Sequence, residues 1–160
     1  MSDDASPETG EAALRGPDCG PHPGPRPGPP PGEGVTVLVC HSCRRPGDPE
    51  TLPRPGTRLA EAAERAAADT GVAVRRVGCL GNCKRGISAA MLRQGSWSYV
   101  FGDLTEDSAG DLVKGALLYA GAGDGFMPFR ARPESLKRGL IARLPTLDIL
   151  PSLDMLKDLP

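Results

Sequence analysis

Short hydrophobic runs and one helical spacing of apolar residues predict alternating strands and helices from residue 35 onwards. The run VTVLV at 35–39 is continuous and rich in β-branched residues, which is typical of a strand buried on both faces. Residues 57–70 predict a helix with Thr57 as its N-cap and Gly71 as its stop. One face of this helix carries Leu59, Ala63, Ala66 and Thr70. The run VAVRRV at 72–77 predicts a second short strand.

A strand pair and a second helix follow. The segments ISAAMLR (87–93) and SWSYVF (96–101) are joined around Gly95 and predict an antiparallel hairpin. A second helix is predicted between Thr105 and Gly121. This order predicts an α/β fold, β-α-β-β-β-α, with a mixed four-stranded sheet and two helices. Because a strand–helix–strand unit forms a right-handed crossover, the first two strands are expected to pair in parallel.

The composition divides the chain into three parts. Residues 1–34 hold nine of the 18 prolines and seven of the 21 glycines, with almost no branched apolar residue. Such a segment buries too little apolar surface to offset its ordering entropy, so we expect a disordered Pro/Gly-rich tail. Residues 35–121 then form the folded domain, and residues 122–160 form a C-terminal extension.

The extension is predicted to contain a short helix and a mobile tail. Pro133 is a suitable first helical residue. The apolar stripe that follows it consists of Leu136, Leu140, Ile141 and Leu144. In the tail, PTLDIL (145–150) is followed directly by PSLDML (151–156). This repeat is either a small tandem duplication, which we favour, or a short docking motif.

Charge and hydropathy exclude several classes of function. The formal net charge of −1 is not that of a strongly basic nucleic-acid-binding protein. The N-terminal MSDDASPETG is acidic and has no apolar stretch, so it predicts no secretory signal. The longest apolar run, residues 35–40, is too short to span a bilayer. We therefore expect a cytoplasmic protein without nucleic-acid or membrane partners.

Four of the five cysteines form two closely spaced pairs. Their spacing is Cys40-x2-Cys43-x35-Cys79-x3-Cys83. Each pair follows one of the two parallel strands, so both are expected at the same edge of the sheet. Four converging thiolates suit an iron–sulfur cluster or a structural zinc ion. In a [2Fe–2S] cluster each pair would hold one iron, and Gly81 would let backbone amides approach sulfur.

The segments VLVCHSCRR, GCLGNCKRG and RPESLKRGLIARLP resemble a known superfamily over residues 35–145. The cysteine pattern is similar to that of the thioredoxin-like [2Fe–2S] ferredoxins. More closely, the three segments resemble a bacterial family of uncharacterised, predicted metal-binding proteins of that fold. The resemblance implies a thioredoxin-like fold and a [2Fe–2S] cluster as cofactor. The implied cluster ligands are Cys40, Cys43, Cys79 and Cys83.

The same resemblance implies electron transfer to an unidentified redox partner protein, and related ferredoxins can be homodimers. Genes of the closer family often lie among cobalamin-synthesis genes, an association that suggests a cobalt-related context. The first pair is more closely spaced here than the C-x4-C of the respiratory ferredoxin subunit. A zinc- or cobalt-binding or metal-delivery protein therefore remains the alternative function.

A thiol oxidoreductase that uses Cys40 and Cys43 is the least favoured function. The following RRPGDP is a poor start for the helix that such chemistry needs, and Cys79 and Cys83 would be left idle. The sequence contains no phosphate-binding loop and no recognisable Ser/His/Asp set. We therefore expect a protein that is not an enzyme.

Six cations lie within a few residues of the cysteines. They are Arg44, Arg45, Arg75, Arg76, Lys84 and Arg85. Positive charge near an all-thiolate cluster favours its reduced state and attracts an acidic partner. The alternative is a solvated basic rim without a docking role.

Overall fold

The computed structural model describes residues 34–50, 52–147 and 149 of the 160-residue chain. Residues 1–33 of the N-terminal tail predicted for 1–34, and most of the hexapeptide repeat, lie outside these residues. The described elements are β1 (Thr36–Cys40), α1 (Pro55–Ala66), β2 (Ala73–Val77), β3 (Ala89–Leu92), β4 (Ser98–Phe101), α2 (Ala109–Ala120), α3 (Glu134–Arg138) and β5 (Leu140–Leu144).

The described strands form one mixed sheet in the order β2-β1-β3-β4-β5. The predicted parallel pairing of β1 with β2 is confirmed, and Cys40 is opposite Val77 in this register. The predicted hairpin is also confirmed, since β3 and β4 pair antiparallel, with Met91 opposite Tyr99. The α/β architecture and the order β-α-β-β-β-α are therefore confirmed over the predicted domain.

The described sheet has one strand more than the four predicted, and the third helix is the short one predicted in the C-terminal extension. Strand β5 pairs antiparallel with β4 and places Arg143 opposite Tyr99. The short helix predicted in the extension is observed as α3, but the apolar stripe does not continue as a helix. The chain turns at Gly139, whose amide donates to Ser135 O and whose carbonyl accepts from Gly102 N. Pairing with β4 stabilises residues 140–144 as a strand.

The helix starts differ from the predicted ones by a few residues. Helix α1 begins at Pro55, whose fixed φ suits a first helical turn, rather than after Thr57. The Thr57 hydroxyl instead donates to the carbonyl of His41. A 3-10 turn at Glu106–Ser108 precedes α2, and it begins with reciprocal capping between Thr105 and Ser108.

The core lies where helices α1 and α2 pack against one another and against the sheet. Alternate residues of β1, Val37 and Val39, are fully buried, as expected of a central strand. The largest fully buried side chains include Tyr99, Tyr119, Phe101, Leu59, Ile87, Met91, Leu104 and Leu112. Among the described residues, no helix is both long and apolar enough to cross a membrane.

Candidate metal centre

Both cysteine loops leave the sheet at the same edge. Cys40 is the last residue of β1, and Cys79 follows the end of β2 by two residues. The two strands stay connected beyond Cys40, because the amide of His41 donates to Val77 O at 3.0 Å. The structure therefore places the two pairs where the parallel crossover predicted them.

The first loop, residues 40–43, rests on the start of helix α1. The carbonyl of Ser42 accepts a hydrogen bond from Arg54 Nη1 at 3.0 Å, and the carbonyl of Cys43 accepts one from Gly56 N at 3.0 Å. A Cβ at Gly56 would overlap the Cys40 carbonyl oxygen and lie 3.1 Å from Cys43 Cβ. The first turn of α1 thus fixes the backbone of this loop, although the two are separated by the long loop 44–54.

The thiols of Cys40 and Cys43 are buried and hydrogen-bonded to one another. The hydrogen bond from Cys43, together with those from the Ser42 hydroxyl and the Leu80 amide, lowers the pKa of Cys40 to about 5 although burial opposes the shift. The same hydrogen bond and burial raise the pKa of Cys43. These hydrogen bonds therefore favour the thiolate form of Cys40, which is the form that binds metals.

The second loop is exposed and shaped by glycine. The amide of Gly81 donates to Cys79 Sγ at 3.2 Å, as expected for an amide near sulfur. Gly81 has a φ of +72°, a conformation that favours glycine. Cys83 begins a 3-10 turn, Cys83–Arg85, and both Cys79 and Cys83 are exposed.

Sequence reasoning missed two polar residues that connect the loops. The Asn82 side chain donates to Ser88 Oγ at 3.0 Å, and the Ser88 carbonyl accepts from Cys40 N at 3.0 Å. The amide and hydroxyl of Ser88 also lie beside the sulfur of Cys43, where they lower its pKa. Asn82 lies between the cysteines of the second pair, and this position in the sequence could have marked it as a residue that supports the site. Ser88 carries no such signal.

Cys43 and Cys83 line a common open cavity of about 450 Å³. Its other lining residues are Ser42, Arg44, Arg45, Pro46, Gly47, Asp48 and Arg54. In the part of the chain that the structure describes, no three side chains of cysteine, histidine or acidic residues converge to hold a metal ion. The structure thus brings the Cys40 and Cys43 thiols together and sets Cys83 beside the same cavity. Ligation by all four cysteines stays a prediction.

Half of the six predicted cations are engaged in ion pairs. Arg44 lies 2.8 Å from Glu50, and Arg85 lies 2.7 Å from Asp103. Arg76 pairs with Glu64 at 2.6 Å and with Glu61 at 3.6 Å. The Arg45 guanidinium donates to the carbonyl of Leu104, a neutral acceptor that does not compensate the positive charge of Arg45. The remaining two, Arg75 and Lys84, are exposed. The positive charge beside the cysteines is therefore smaller than a count of cations suggests.

Residues 37–146, which are 110 of the 160 residues, match the family described as "Protein of unknown function (DUF1636)". No curated protein matches this chain. A solved thioredoxin-like [2Fe–2S] ferredoxin from Aquifex aeolicus is 19% identical, with 71% of this chain and 96% of that chain covered and a TM-score of 0.47. A crystal structure of the wild-type ferredoxin from that organism gives 20% identity, 69% and 98% coverage, and a TM-score of 0.46.

Proposed function

The chain belongs to the family described as "Protein of unknown function (DUF1636)", and we propose that it is an electron-transfer protein that binds one [2Fe–2S] cluster. The proposed ligands are Cys40, Cys43, Cys79 and Cys83. One observation carries the proposal: parallel pairing of β1 with β2 directs both cysteine loops to one edge of the sheet, beside a cavity that Cys43 and Cys83 share.

The donor set fits such a cluster. All four proposed ligands are thiols, and [2Fe–2S] clusters of the ferredoxin type are held by four thiolates. Cys40 already has a pKa well below its ordinary value of 9.0. The amides of Leu80 and Gly81 donate to the sulfurs of Cys40 and Cys79, and such hydrogen bonds stabilise a thiolate cluster. When bound, the cluster would supply a site that accepts and releases one electron.

The second loop has the freedom that ligation would require. A Cβ at Gly78 or Gly81 would meet nothing within 4 Å, so the side-chain face of this loop is open at both positions, while the Gly78 carbonyl accepts a hydrogen bond from the Ser42 hydroxyl of the first loop. The first loop, in contrast, is fixed by helix α1. We therefore expect Cys40 and Cys43 to form the rigid half of the site and Cys79 and Cys83 to adjust on metal binding.

The surface around the cavity suits a carrier that meets an acidic redox partner. Arg45, Arg54 and Lys84 lie beside the cysteines, and Arg45 and Arg54 line the cavity with Asp48 as the acidic residue among them. A cationic rim accelerates encounter with an acidic protein and makes the rate dependent on salt. In this proposal the chain carries electrons and performs no catalysis of its own.

The first experiment is the visible absorption spectrum of anaerobically purified protein, with iron, sulfide and zinc measured on the same sample. The proposal predicts thiolate-to-iron charge-transfer bands and equal amounts of iron and sulfide, about two of each per chain. A colourless protein with one zinc or cobalt per chain, unchanged by attempted cluster reconstitution, would instead support the metal-binding or metal-delivery alternative.

Matched serine variants test the ligand assignment. Cys79→Ser or Cys83→Ser is expected to abolish or strongly shift the charge-transfer bands, because each would remove one thiolate from the site. Cys19→Ser is the control, since Cys19 belongs to the N-terminal segment outside the described residues. An unchanged spectrum and iron content in Cys83→Ser would contradict the assignment.

A further inference from the structure

The side chain of Asn82 fastens one end of the second cysteine loop to the residue that precedes β3. Its Nδ2 donates to Ser88 Oγ at 3.0 Å and to the carbonyl of Arg85 at 3.3 Å. Because a carbonyl oxygen can only accept, the nitrogen of this amide faces both partners, and Ser88 Oγ is the acceptor in its pair with Asn82. Asn82 immediately precedes Cys83, so these two bonds hold the chain beside this cysteine.

The place of this amide is closely confined. The Arg85 carbonyl also accepts from Asp103 N at 2.7 Å, and Arg85 Nε lies 2.7 Å from Asp103 Oδ2. A Cβ at the buried Gly102 would lie 2.5 Å from Asn82 Nδ2 and 2.5 Å from the Arg85 carbonyl oxygen. Only a glycine at this position therefore leaves room for the Asn82 amide.

Ser88 connects this anchor to the first cysteine pair. It is fully buried, and its carbonyl accepts from Cys40 N at 3.0 Å. A serine hydroxyl has one proton to donate, and because Ser88 Oγ accepts from Asn82, this proton is free for another acceptor. The hydroxyl and the amide of Ser88 lie beside the Cys43 sulfur. One buried serine thus contacts both cysteines of the first pair and the loop that carries Cys83.

The two hydrogen bonds that join the cysteine loops differ in their exposure to water. The bond from the Ser42 hydroxyl to the Gly78 carbonyl is exposed, whereas the Asn82–Ser88 bond is partly buried. A hydrogen bond that is shielded from water is electrostatically stronger than an exposed one. We therefore expect Asn82 to be the fixed point about which the second loop adjusts when it binds a metal.

We propose that Asn82 is a positioning residue of the metal centre and that it acts through Ser88. Their hydrogen bond keeps Cys83 at the cavity that Cys43 also lines, and it directs the Ser88 hydroxyl to the Cys43 sulfur. Asn82 supplies no ligand in this arrangement, so its removal leaves all four thiols in place and impairs their convergence. The inference rests on the four-cysteine site of the proposed function, but on thiolate ligation rather than on the kind of metal.

The test is a titration of the reduced, metal-free, full-length protein with Co²⁺ alone. Thiolate-bound cobalt gives sulfur-to-metal charge-transfer bands, so one titration reports both affinity and ligation. Asn82→Ala and Ser88→Ala are each expected to weaken Co²⁺ binding about 10- to 100-fold, which is typical when a group that orients metal ligands is removed. Because the two residues act through one bond, the double variant should bind no more weakly than the weaker single variant.

Ser108→Ala is the matched control for a general loss of stability. Ser108 is also buried, and its hydroxyl accepts from Thr105 N at 3.0 Å, but this bond belongs to the capping turn before α2. The control should lower the urea midpoint of unfolding and leave Co²⁺ affinity unchanged. Asn82 is only partly buried, so Asn82→Ala keeps the test valid if Ser88→Ala does not fold.

Each outcome decides for or against the proposal. Weaker binding in both single variants, with no further loss in the double variant and none in Ser108→Ala, supports it. Wild-type affinity in Asn82→Ala overturns it, and so does an equal loss in Ser108→Ala. Losses that multiply in the double variant overturn the action of Asn82 through Ser88. A wild-type protein that binds Co²⁺ without charge-transfer bands also overturns it, because its thiols then form no joint site.

The iron and sulfide assay decides the proposed function separately. A wild-type protein that acquires neither iron nor sulfide, but gives the expected series of Co²⁺ affinities, contradicts the [2Fe–2S] cluster and supports the role of Asn82. A protein that binds the cluster and has the same Co²⁺ affinity with and without the Asn82 amide supports the proposed function and overturns this inference.

Discussion

Replacement of Gly56 by alanine tests whether helix α1 holds the first cysteine loop in place. Gly56 is the second residue of α1 and is buried. An added Cβ would overlap the carbonyl oxygen of Cys40 and lie 3.0 Å from Cys43 N and 3.1 Å from Cys43 Cβ. Two of these three atoms are backbone, so the clash cannot be relieved by turning a flexible side chain. The helix start and the loop must separate.

The expected cost follows from overpacking of a rigid contact. Such insertions destabilise a protein by about 1–3 kcal/mol. The higher helix propensity of alanine returns at most about 1 kcal/mol. We therefore expect the free energy of unfolding to fall, and the hydrogen bond from Gly56 N to Cys43 O, now 3.0 Å long, to weaken with it. Because this contact positions Cys43, the metal site should change as well.

Urea unfolding followed by circular dichroism measures the loss of stability, and the spectrum and metal content report on the metal site. Gly110→Ala is a matched control, because Gly110 is the second residue of α2 and a Cβ there would meet nothing within 4 Å. Gly110→Ala should stabilise the protein by up to about 1 kcal/mol and leave the metal site unchanged.

One result would refute this reasoning. If Gly56→Ala and Gly110→Ala raise the free energy of unfolding equally, the first turn of α1 does not press on the cysteine loop. A Gly56→Ala protein with lower stability but unchanged metal content and spectrum would restrict the role of the contact to folding.

Three further predictions concern buried polar groups. Ser88→Ala should lower stability by about 1 kcal/mol and shift the charge-transfer bands of the cluster, because it removes the hydroxyl beside the Cys43 sulfur; unchanged bands would exclude this contact. Tyr119→Phe should cost about 1–3 kcal/mol in urea unfolding, because the 2.6 Å hydrogen bond to Trp97 O is lost; a cost near zero would contradict it. Metal-free protein should gain stability as the pH rises from about 5 towards 9. In this range the Cys40 thiol keeps its proton in the unfolded chain, whereas its lowered pKa favours loss of that proton in the folded protein, so a rise in pH favours folding. Unfolding midpoints across pH check this, and Cys40→Ser should lose the dependence.

The order of elements was predictable because each signal is local. The β-branched run at 35–39 and the helical spacing after Thr57 depend on a few residues each, and burial then follows from their periodicity. The parallel pairing of β1 with β2 also follows, since the handedness of a strand–helix–strand crossover leaves few alternatives. The sequence alone therefore determined that both cysteine pairs follow neighbouring parallel strands.

The end of the sheet was decided by tertiary contacts. The apolar residues from Leu136 to Leu144 have helical spacing, yet residues 140–144 form β5 because pairing with β4 outweighs the weak local preference of five residues. The turn at Gly139 belongs to this contact, since its carbonyl accepts from Gly102 N, 37 residues away in sequence. No local pattern reveals a partner so distant along the chain.

In the candidate site, too, some features can be read from the sequence and others depend on the folded structure. The cysteine types and their spacing are legible in the sequence, because metal chemistry requires those side chains whatever the packing. The support of the first loop by Gly56 and the contact of Ser88 with the Cys43 sulfur are not legible. Each depends on which atoms the folded chain brings within a few ångströms, and a glycine or a serine looks the same in sequence whether it is buried or exposed.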